Sequence, residues 1–133
     1  MGTQYFMVLT DPVAGQDDAY NDWYDNRHLA DVLKVDGFVS AQRFALSHHK
    51  GPDGVPASKY LAIYEIETDD VDATLAKLLS RLGTDAMPVS PAVDGQRLSM
   101  FVATALAGPK TRASSLIRSN RLGLIGSGSN YIV

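Results

Sequence analysis

The chain has 133 residues, of which 45% are hydrophobic and 20% are charged, with a formal net charge of −3 and no cysteine. This length suffices for one domain with a buried core, and the lack of cysteine excludes disulfides, thiolate metal sites and cysteine nucleophiles. No apolar run approaches the ~20 residues that span a bilayer, and no secretory signal is present, so we expect a cytoplasmic protein without a membrane partner.

The charged residues are unevenly distributed along the chain. All fifteen acidic residues lie at or before Asp94, whereas the segment after Ala107 carries four basic residues and no acid. An acidic body argues against a nucleic-acid partner, because that affinity comes largely from neutralising phosphates. We therefore expect a folded domain over residues 1–106 and a basic C-terminal extension over residues 107–133. The extension either contacts nucleic acid or an anionic surface or, as we favour, lies on the acidic body of its own or a partner subunit.

The first half of the domain begins with a strand and a helix. Residues 5–9 are an apolar, aromatic-rich run that is typical of a strand. A helix is expected from an N-cap at Asp17 or Asp18 to about His28, with a further short turn before Gly37 ends it.

The second half predicts two strands, a helix and a last strand. Residues 38–46 and 59–67 have strand-like patterns and are separated by a loop rich in Gly and Pro. Asp69-Asp70 can cap a helix whose apolar residues recur at helical spacing until Gly83. Residues 97–106 complete the order β-α-β-β-α-β, which is the ferredoxin-like α+β arrangement.

A four-stranded sheet with both helices on one face leaves its other face bare. Strand alternation places Phe6 and Val8 on one face and Tyr5, Met7 and Leu9 on the other, and both faces are substantially apolar. A soluble monomer does not leave an apolar face of several hundred Å² to water. We therefore expect a second copy to cover it, giving a homodimer whose two sheets form one closed barrel.

The predicted first helix carries an unusual set of side chains. Tyr20, Tyr24 and His28 are four residues apart and lie along one strip, with Trp23 and Arg27 beside them. An ordinary core-facing strip would use Leu, Ile, Val and Ala instead. This combination of aromatic rings, a cation and an imidazole indicates the wall of a pocket for a hydrophobic or aromatic small molecule.

Four segments resemble the EthD-like branch of the dimeric α+β barrel superfamily. They are NDWYDNRHLADVL at residues 21–33, GFVSAQRF at 37–44, KYLAIYEI at 59–66 and SPA at 90–92. The resemblance implies a ferredoxin-like protomer, a dimer and a ligand cavity between sheet and helix. Relatives with this fold include cofactor-free monooxygenases, polyketide cyclases, muconolactone isomerases and dehydratases. The proline that the family usually has two residues after the histidine is Ala30 here, which allows the helix to continue.

His28 and Tyr24 are the candidate catalytic residues. An imidazole can take and return a proton near neutral pH, which cofactor-free isomerisation, dehydration or cyclisation requires. Tyr24, one turn earlier, could bind a ligand oxygen or orient the imidazole. The alternatives are a histidine bonded to a backbone carbonyl at a helix end and a tyrosine that only packs in the core.

Candidate substrate-binding residues share aromatic or cationic side chains: Trp23, Arg27, Arg43, Tyr60, Tyr64 and Phe6. Each of the two arginines has a structural alternative. We favour an ion pair of Arg27 with Asp31 or Asp22, and slightly favour a pair of Arg43 with Glu65 over a contact with an anionic ligand.

The aromatic candidates also have structural alternatives. Trp23 is expected mainly to anchor the helix on the sheet. Tyr60 and Tyr64 share one face of their strand and could line the cavity or form a cross-strand aromatic cluster.

The sequence favours a cofactor-independent enzyme that performs a lyase, isomerase or dehydratase-type proton transfer on a hydrophobic or aromatic catabolic intermediate. The alternatives are a non-catalytic small-molecule-binding or stress-related barrel protein and a cofactor-free monooxygenase. We expect no cofactor and no metal. His48 and His49 are adjacent, and Asp53, the nearest acid, lies in the same loop, so they make a poor metal site.

Overall fold

The computed structural model describes residues 3–54 and 58–112. Four strands form one antiparallel sheet in the order β2-β3-β1-β4: β1 Thr3–Thr10, β2 Phe38–Ala45, β3 Tyr60–Glu67 and β4 Ser99–Thr104. The helical segments are α1 Asp17–Trp23, a π-helical turn Tyr24–His28, α2 Leu29–Val32 and α3 Val71–Arg81. The predicted β-α-β-β-α-β order and the ferredoxin-like fold are confirmed. Most of the basic extension, residues 113–133, lies outside the described residues, and within them no helix could cross a membrane.

The first helix is continuous over residues 17–32 because α1, the π-helical turn and α2 follow one another without a break. Its backbone stays in the right-handed helical region through Trp23, Tyr24, His28 and Leu29. The π-helix is rare and occurs mostly as single turns within α-helices, and such turns are frequent at functional sites. The turn coincides with the motif that the sequence singled out.

The predicted N-cap of this helix is wrong. Gln16 occupies the N-cap position without a side-chain hydrogen bond, and Asp17 and Asp18 lie in the first turn, where carboxylates still interact favourably with the helix dipole. The Asp17 carboxylate instead accepts hydrogen bonds from the Lys59 ammonium at 3.0 Å and the Tyr60 hydroxyl at 3.3 Å. These contacts with the start of β3 take the side chain away from the cap.

The sheet buries one face under the helices. Phe6 in β1 lies directly between Tyr64 in β3 and Val102 in β4, and all three therefore point to the same side. The buried apolar residues on that side and on the helices form one core: Phe6, Val8, Tyr20, Tyr24, Val32, Val35, Phe38, Ala62, Tyr64, Ile66, Leu78, Met87 and Ala92. The opposite face, with Tyr5 and Met7, has no helix over it in the described residues.

The helix α3 covers the β4 side of the sheet incompletely. Its N-cap is Asp70, whose side chain accepts a hydrogen bond from the Ala73 amide at 3.0 Å. Leu78 packs into the core, but Leu79 is 51% exposed. The space between this helix and the strands is therefore only partly filled.

The residues after α3 return along the sheet before β4 begins. The Val13 amide donates to the Ala92 carbonyl at 2.7 Å, and the Asp94 amide donates to the Asp11 carbonyl at 2.9 Å. Met87 is completely buried in this connection. This connection, which contains no helix or strand, is therefore part of the core and positions one wall of the site.

Gly37 is required by both its backbone and its surroundings. Its φ of +100° is a conformation that other residues rarely adopt, and a Cβ built there would lie 2.9 Å from Cγ2 of Thr74. We expect Gly37→Ala to lower the free energy of unfolding by about 2 kcal/mol, measured by urea denaturation. Gly83→Ala is the control, because Gly83 has a φ of +86° with nothing within 4 Å of a built Cβ. Equal losses in both variants would show that the contact with Thr74 contributes nothing.

Candidate ligand cavity

A cavity of about 100 Å³ lies between the first helix, α3 and the helix-covered face of the sheet. Its walls are mostly apolar, and no charged side chain is among them. The lining residues are Phe6, Val8, Thr10, Trp23, Tyr24, His28, Val32, Tyr64, Leu78, Leu79, Leu82, Val89, Val93, Leu98 and Met100. The sequence-predicted His28, Tyr24, Trp23, Tyr64 and Phe6 are thus brought together around one space.

The π-helical turn sets how the rings of this wall meet. Trp23 and His28 are five residues apart and stack with ring centroids 4.4 Å apart and an interplanar angle of 24°. In a π-helix residues five apart are neighbours, whereas an α-helix favours spacings of three and four. Tyr24 meets His28 edge-on at 5.3 Å and Tyr20 edge-on at 5.4 Å. The predicted aromatic strip is confirmed, with the π-helical turn adding the Trp23 stack.

His28 is buried without a full set of polar partners. The residue is 7% exposed, and its Nδ1 has no hydrogen-bond partner among the described residues. Burial lowers the pKa of His28 to about 4, and the nearby Asp31 carboxylate opposes this shift only in part. The ring is therefore neutral at physiological pH. It can accept a proton or a hydrogen bond, but it does not provide a fixed positive charge.

Buried hydroxyl groups line the same cavity as the imidazole. Tyr24, Tyr64 and Thr10 line the cavity and are almost completely buried. Burial raises the pKa of Tyr24, against the effect of the neighbouring Tyr64 and Thr10 hydroxyls, and raises the pKa of Tyr64 well above its usual value. These phenols remain protonated near neutral pH. The Tyr64 hydroxyl lies near enough to the Tyr24 hydroxyl to affect its pKa, but no atom of the described residues meets it with hydrogen-bond geometry.

Tyr20 adds a fourth buried hydroxyl group, which lies behind the cavity wall. Its hydroxyl hydrogen-bonds the Thr10 hydroxyl, and burial raises its pKa to about 12. Tyr20 is itself completely buried and does not line the cavity. It therefore supports the wall rather than presenting a group to a ligand.

Trp23 both anchors the helix and forms part of the cavity wall. Its indole Nε1 donates a hydrogen bond to the Pro88 carbonyl at 3.0 Å, which ties the helix to the connection before β4. Its ring covers one face of His28. The anchoring role expected from the sequence and a place beside the ligand are thus compatible.

Arg43 does not pair with Glu65, and this prediction is wrong. Arg43 donates hydrogen bonds of 2.7 Å to Asp25 and to Asn21, and its guanidinium lies 4.5 Å from the centre of the Tyr24 ring. The reason is register: Arg43 faces the helices, whereas Glu65 lies opposite Ser40 on the other side of the sheet. Through these contacts Arg43 stabilises the first helix, and it is not among the cavity-lining residues.

Arg27 and Tyr60 also lie away from the cavity. Arg27 donates to the buried Asp31 carboxylate at 2.7 Å, which is the favoured ion pair, and to the Asp85 carbonyl at 3.2 Å. The Tyr60 hydroxyl contacts Asp17, and its ring lies 5.2 Å from that of Tyr20. Neither side chain lines the cavity, and their substrate-binding role stays a prediction.

Several cavity residues carry no individual signal in the sequence. Thr10 ends a strand, and Val89 and Val93 belong to a segment with the composition of a loop. The apolar stripe of α3 indicated Leu78 and Leu79 as core residues but not as neighbours of a ligand. Among the described residues no group of three or more His, Asp or Glu side chains could hold a metal ion.

Comparisons with protein-family models and with curated proteins find no match for this chain. Solved structures do match. The heme degrader MhuD of Mycobacterium tuberculosis, solved with two hemes bound in its active site, is 14% identical with a TM-score of 0.54, over 80% of this chain and 99% of that one. A putative monooxygenase from Shewanella loihica is 11% identical with a TM-score of 0.51, over 80% and 97%.

An EthD family protein from Bacillus halodurans is also among the matching structures, at 13% identity and a TM-score of 0.42 over 84% of this chain and 100% of that one. Likeness at these identities concerns the fold. The chain has the ferredoxin-like α+β fold of the heme degrader and the monooxygenase, which is the protomer fold that the predicted resemblance implies.

Proposed function

We propose that this protein binds a hydrophobic small molecule in the cavity and transfers a proton on it, with His28 as the base. The observation that carries the proposal is a buried, neutral imidazole with an unpartnered Nδ1 in the wall of an apolar cavity. Buried polar atoms without partners are rare in folded proteins, and a functional role is one of the usual reasons for them. A bound ligand would supply the missing partner.

The neighbouring groups support a cofactor-independent lyase or isomerase step. Neutral His28 would accept a proton from the ligand, and the protonated Tyr24 hydroxyl would hydrogen-bond an oxygen on which negative charge develops. The imidazolium formed at this buried position is strongly acidic, since burial holds its pKa near 4. It would therefore return the proton to another atom of the same ligand, which is what isomerisation or elimination requires.

The related folds support a site for an organic molecule. The heme degrader of this fold carries two hemes in its active site. A cavity of about 100 Å³ is smaller than the apolar cavity of about 150 Å³ that accommodates benzene in an engineered protein. In its present shape the cavity would thus hold only part of a benzene-sized or larger ligand. Binding of the whole ligand would require the exposed side chains of α3 and β4 to move.

The proton-transfer activity can be tested with 2-indanone, a small aromatic ketone with acidic C–H bonds. We expect the protein to accelerate exchange of these hydrogens in D₂O, followed by NMR, with a rate that rises with pH through a midpoint near 4 and is then constant. His28→Gln should abolish the acceleration, whereas His49→Gln, in the loop between β2 and β3, should retain it. Binding of 2-indanone without exchange would overturn catalysis and favour the non-catalytic binder.

We also propose that a second copy of the chain covers the open face of the sheet. Tyr5, Phe44 and Phe101 are exposed there, and Met7 lies at its centre on β1. Sedimentation should give a dimer at micromolar concentration, and Met7→Asp should give a monomer, because a carboxylate would be buried in the interface. Ala76→Asp, on the exposed face of α3, is the control and should remain dimeric. A monomeric native protein would contradict this arrangement.

A further inference from the structure

A second apolar space adjoins the cavity on the side of β4. It is a groove of about 200 Å³ between α3 and the edge strand β4, lined on the helix-covered side by Phe6, Leu75, Leu79, Met100 and Val102, and bordered at the strand by Phe101, which lies opposite Met7 on the other face. We call it the strand-edge groove. Three of these residues, Phe6, Leu79 and Met100, also line the cavity. The two spaces are therefore neighbours that share a wall.

The shared wall is formed in part by side chains that are only partly packed. Leu79 is 51% exposed and Met100 is 44% exposed, so neither is locked by packing on all sides. Methionine is unbranched and adapts easily to irregular spaces. Rotation of these two side chains would join the spaces into one of about 300 Å³, which is the lower end of the range for small-molecule sites.

The polarity of the combined space is confined to one end. No charged side chain lines either space. The polar side chains lie in the cavity, where His28 Nδ1 and the Tyr64 hydroxyl lack hydrogen-bond partners among the described residues. The groove is lined by apolar residues alone. A charged group in the cavity would lose its hydration without an opposite charge to compensate.

We propose that the ligand is a neutral, elongated amphiphile with a hydroxyl or carbonyl head beside His28 and an apolar tail in the strand-edge groove. This inference rests on the proposed function and adds the class of molecule. The head satisfies buried polar atoms of the cavity, and the tail passes Leu79 and Met100. A compact ring would leave the groove empty, and an anionic ligand would find no cation in the walls.

Chain length in a series of 4-alkylphenols tests the tail. We expect calorimetric affinity for the native protein to rise from phenol through 4-ethylphenol to 4-hexylphenol by up to about fourfold per methylene buried. Val102→Phe should remove this gain, because Val102 lines the groove and not the cavity, and phenol gives the reference affinity for each protein. Val13→Phe, at an exposed position outside both spaces, should keep the gain.

The outcomes separate the inference from the function on which it rests. Phenol binding without a gain from the longer chains would overturn the tail but leave the cavity proposal standing. A gain that survives Val102→Phe and also Leu75→Phe would overturn the tail's place in the groove. The second variant decides the matter if the first loses phenol binding through misfolding. Failure of all the phenols to bind the native protein would contradict the cavity itself.

Head-group chemistry is tested at constant chain length. 4-Hexylphenol should bind at least about tenfold more tightly than 4-hexylbenzoate, whose carboxylate would be desolvated without a partner. It should also bind more tightly than hexylbenzene, and Tyr64→Phe should reduce that second difference. Equal affinity for the phenol and the benzoate would overturn the neutral head.

Discussion

Lowering the pH from 7 to 4 is expected to cost the folded protein about 3 kcal/mol through His28 alone. The pKa of His28 is about 4 in the folded state and 6.5 as the ordinary value. Between these values the unfolded chain binds more protons than the folded chain, so stability falls as the pH falls. The contribution is fully present above pH 6.5 and is lost progressively down to pH 4, at about 1.4 kcal/mol per unit of pKa difference.

Urea denaturation at several pH values measures this effect. His28→Gln should remove the His28 share of the pH dependence, and His49→Gln, in an outer loop, should retain it. The loss of stability at low pH that all three proteins share comes from protonation of carboxylates. The stacking of Trp23 on His28 gives an independent readout, because Trp23 is the only tryptophan of the chain. Its fluorescence should change with a midpoint near pH 4, and a midpoint near 6.5 would contradict a buried neutral imidazole.

Removing the Trp23 ring is expected to destabilise the fold and to change the titration of His28. Trp23→Ala deletes a large side chain that packs against the core and donates a hydrogen bond to the Pro88 carbonyl. Such truncations cost about 3 to 5 kcal/mol in buried positions, and the lower figure is expected because Trp23 is only partly buried. Water reaching the exposed face of the imidazole should raise the pKa of His28 towards 6.5.

Trp23→Phe separates these two effects. It keeps an aromatic ring over His28 but loses the hydrogen bond to Pro88, so we expect a loss of about 1 kcal/mol with little change in the pKa of His28. Unfolding in urea gives the stability, and NMR titration of the imidazole protons gives the pKa. An unchanged pKa of His28 in Trp23→Ala would show that other residues keep the ring from water.

The sequence predicted the fold well because its signals are local. The apolar alternation of β1 and the helical spacing of Val71, Leu75 and Leu78 each depend on a single element. The helix motif likewise placed Tyr24 and His28 on one strip. These are properties of spacing along the chain, and the structure preserves them.

The errors concern relations between elements. Which face of β2 carries Arg43 depends on its register with β3, which places it opposite Ala62 on the helix-covered side, whereas Glu65 lies opposite Ser40 on the other side. The π-helical turn, which brings Trp23 onto His28, has no signature that alternation or helical spacing can detect. Val89 contributes to the cavity from a segment with loop composition. Each depends on contacts between distant parts of the chain.

The most direct test of a ligand cavity at His28 is NMR of the protein with 4-ethylphenol. We expect intermolecular NOEs from the phenol to the Trp23 indole and the Met100 methyl group, together with a change in the chemical shifts of the His28 ring nitrogens. NOEs confined to Tyr5 and Met7 on the open face of the sheet, with the His28 signals unmoved, would contradict it.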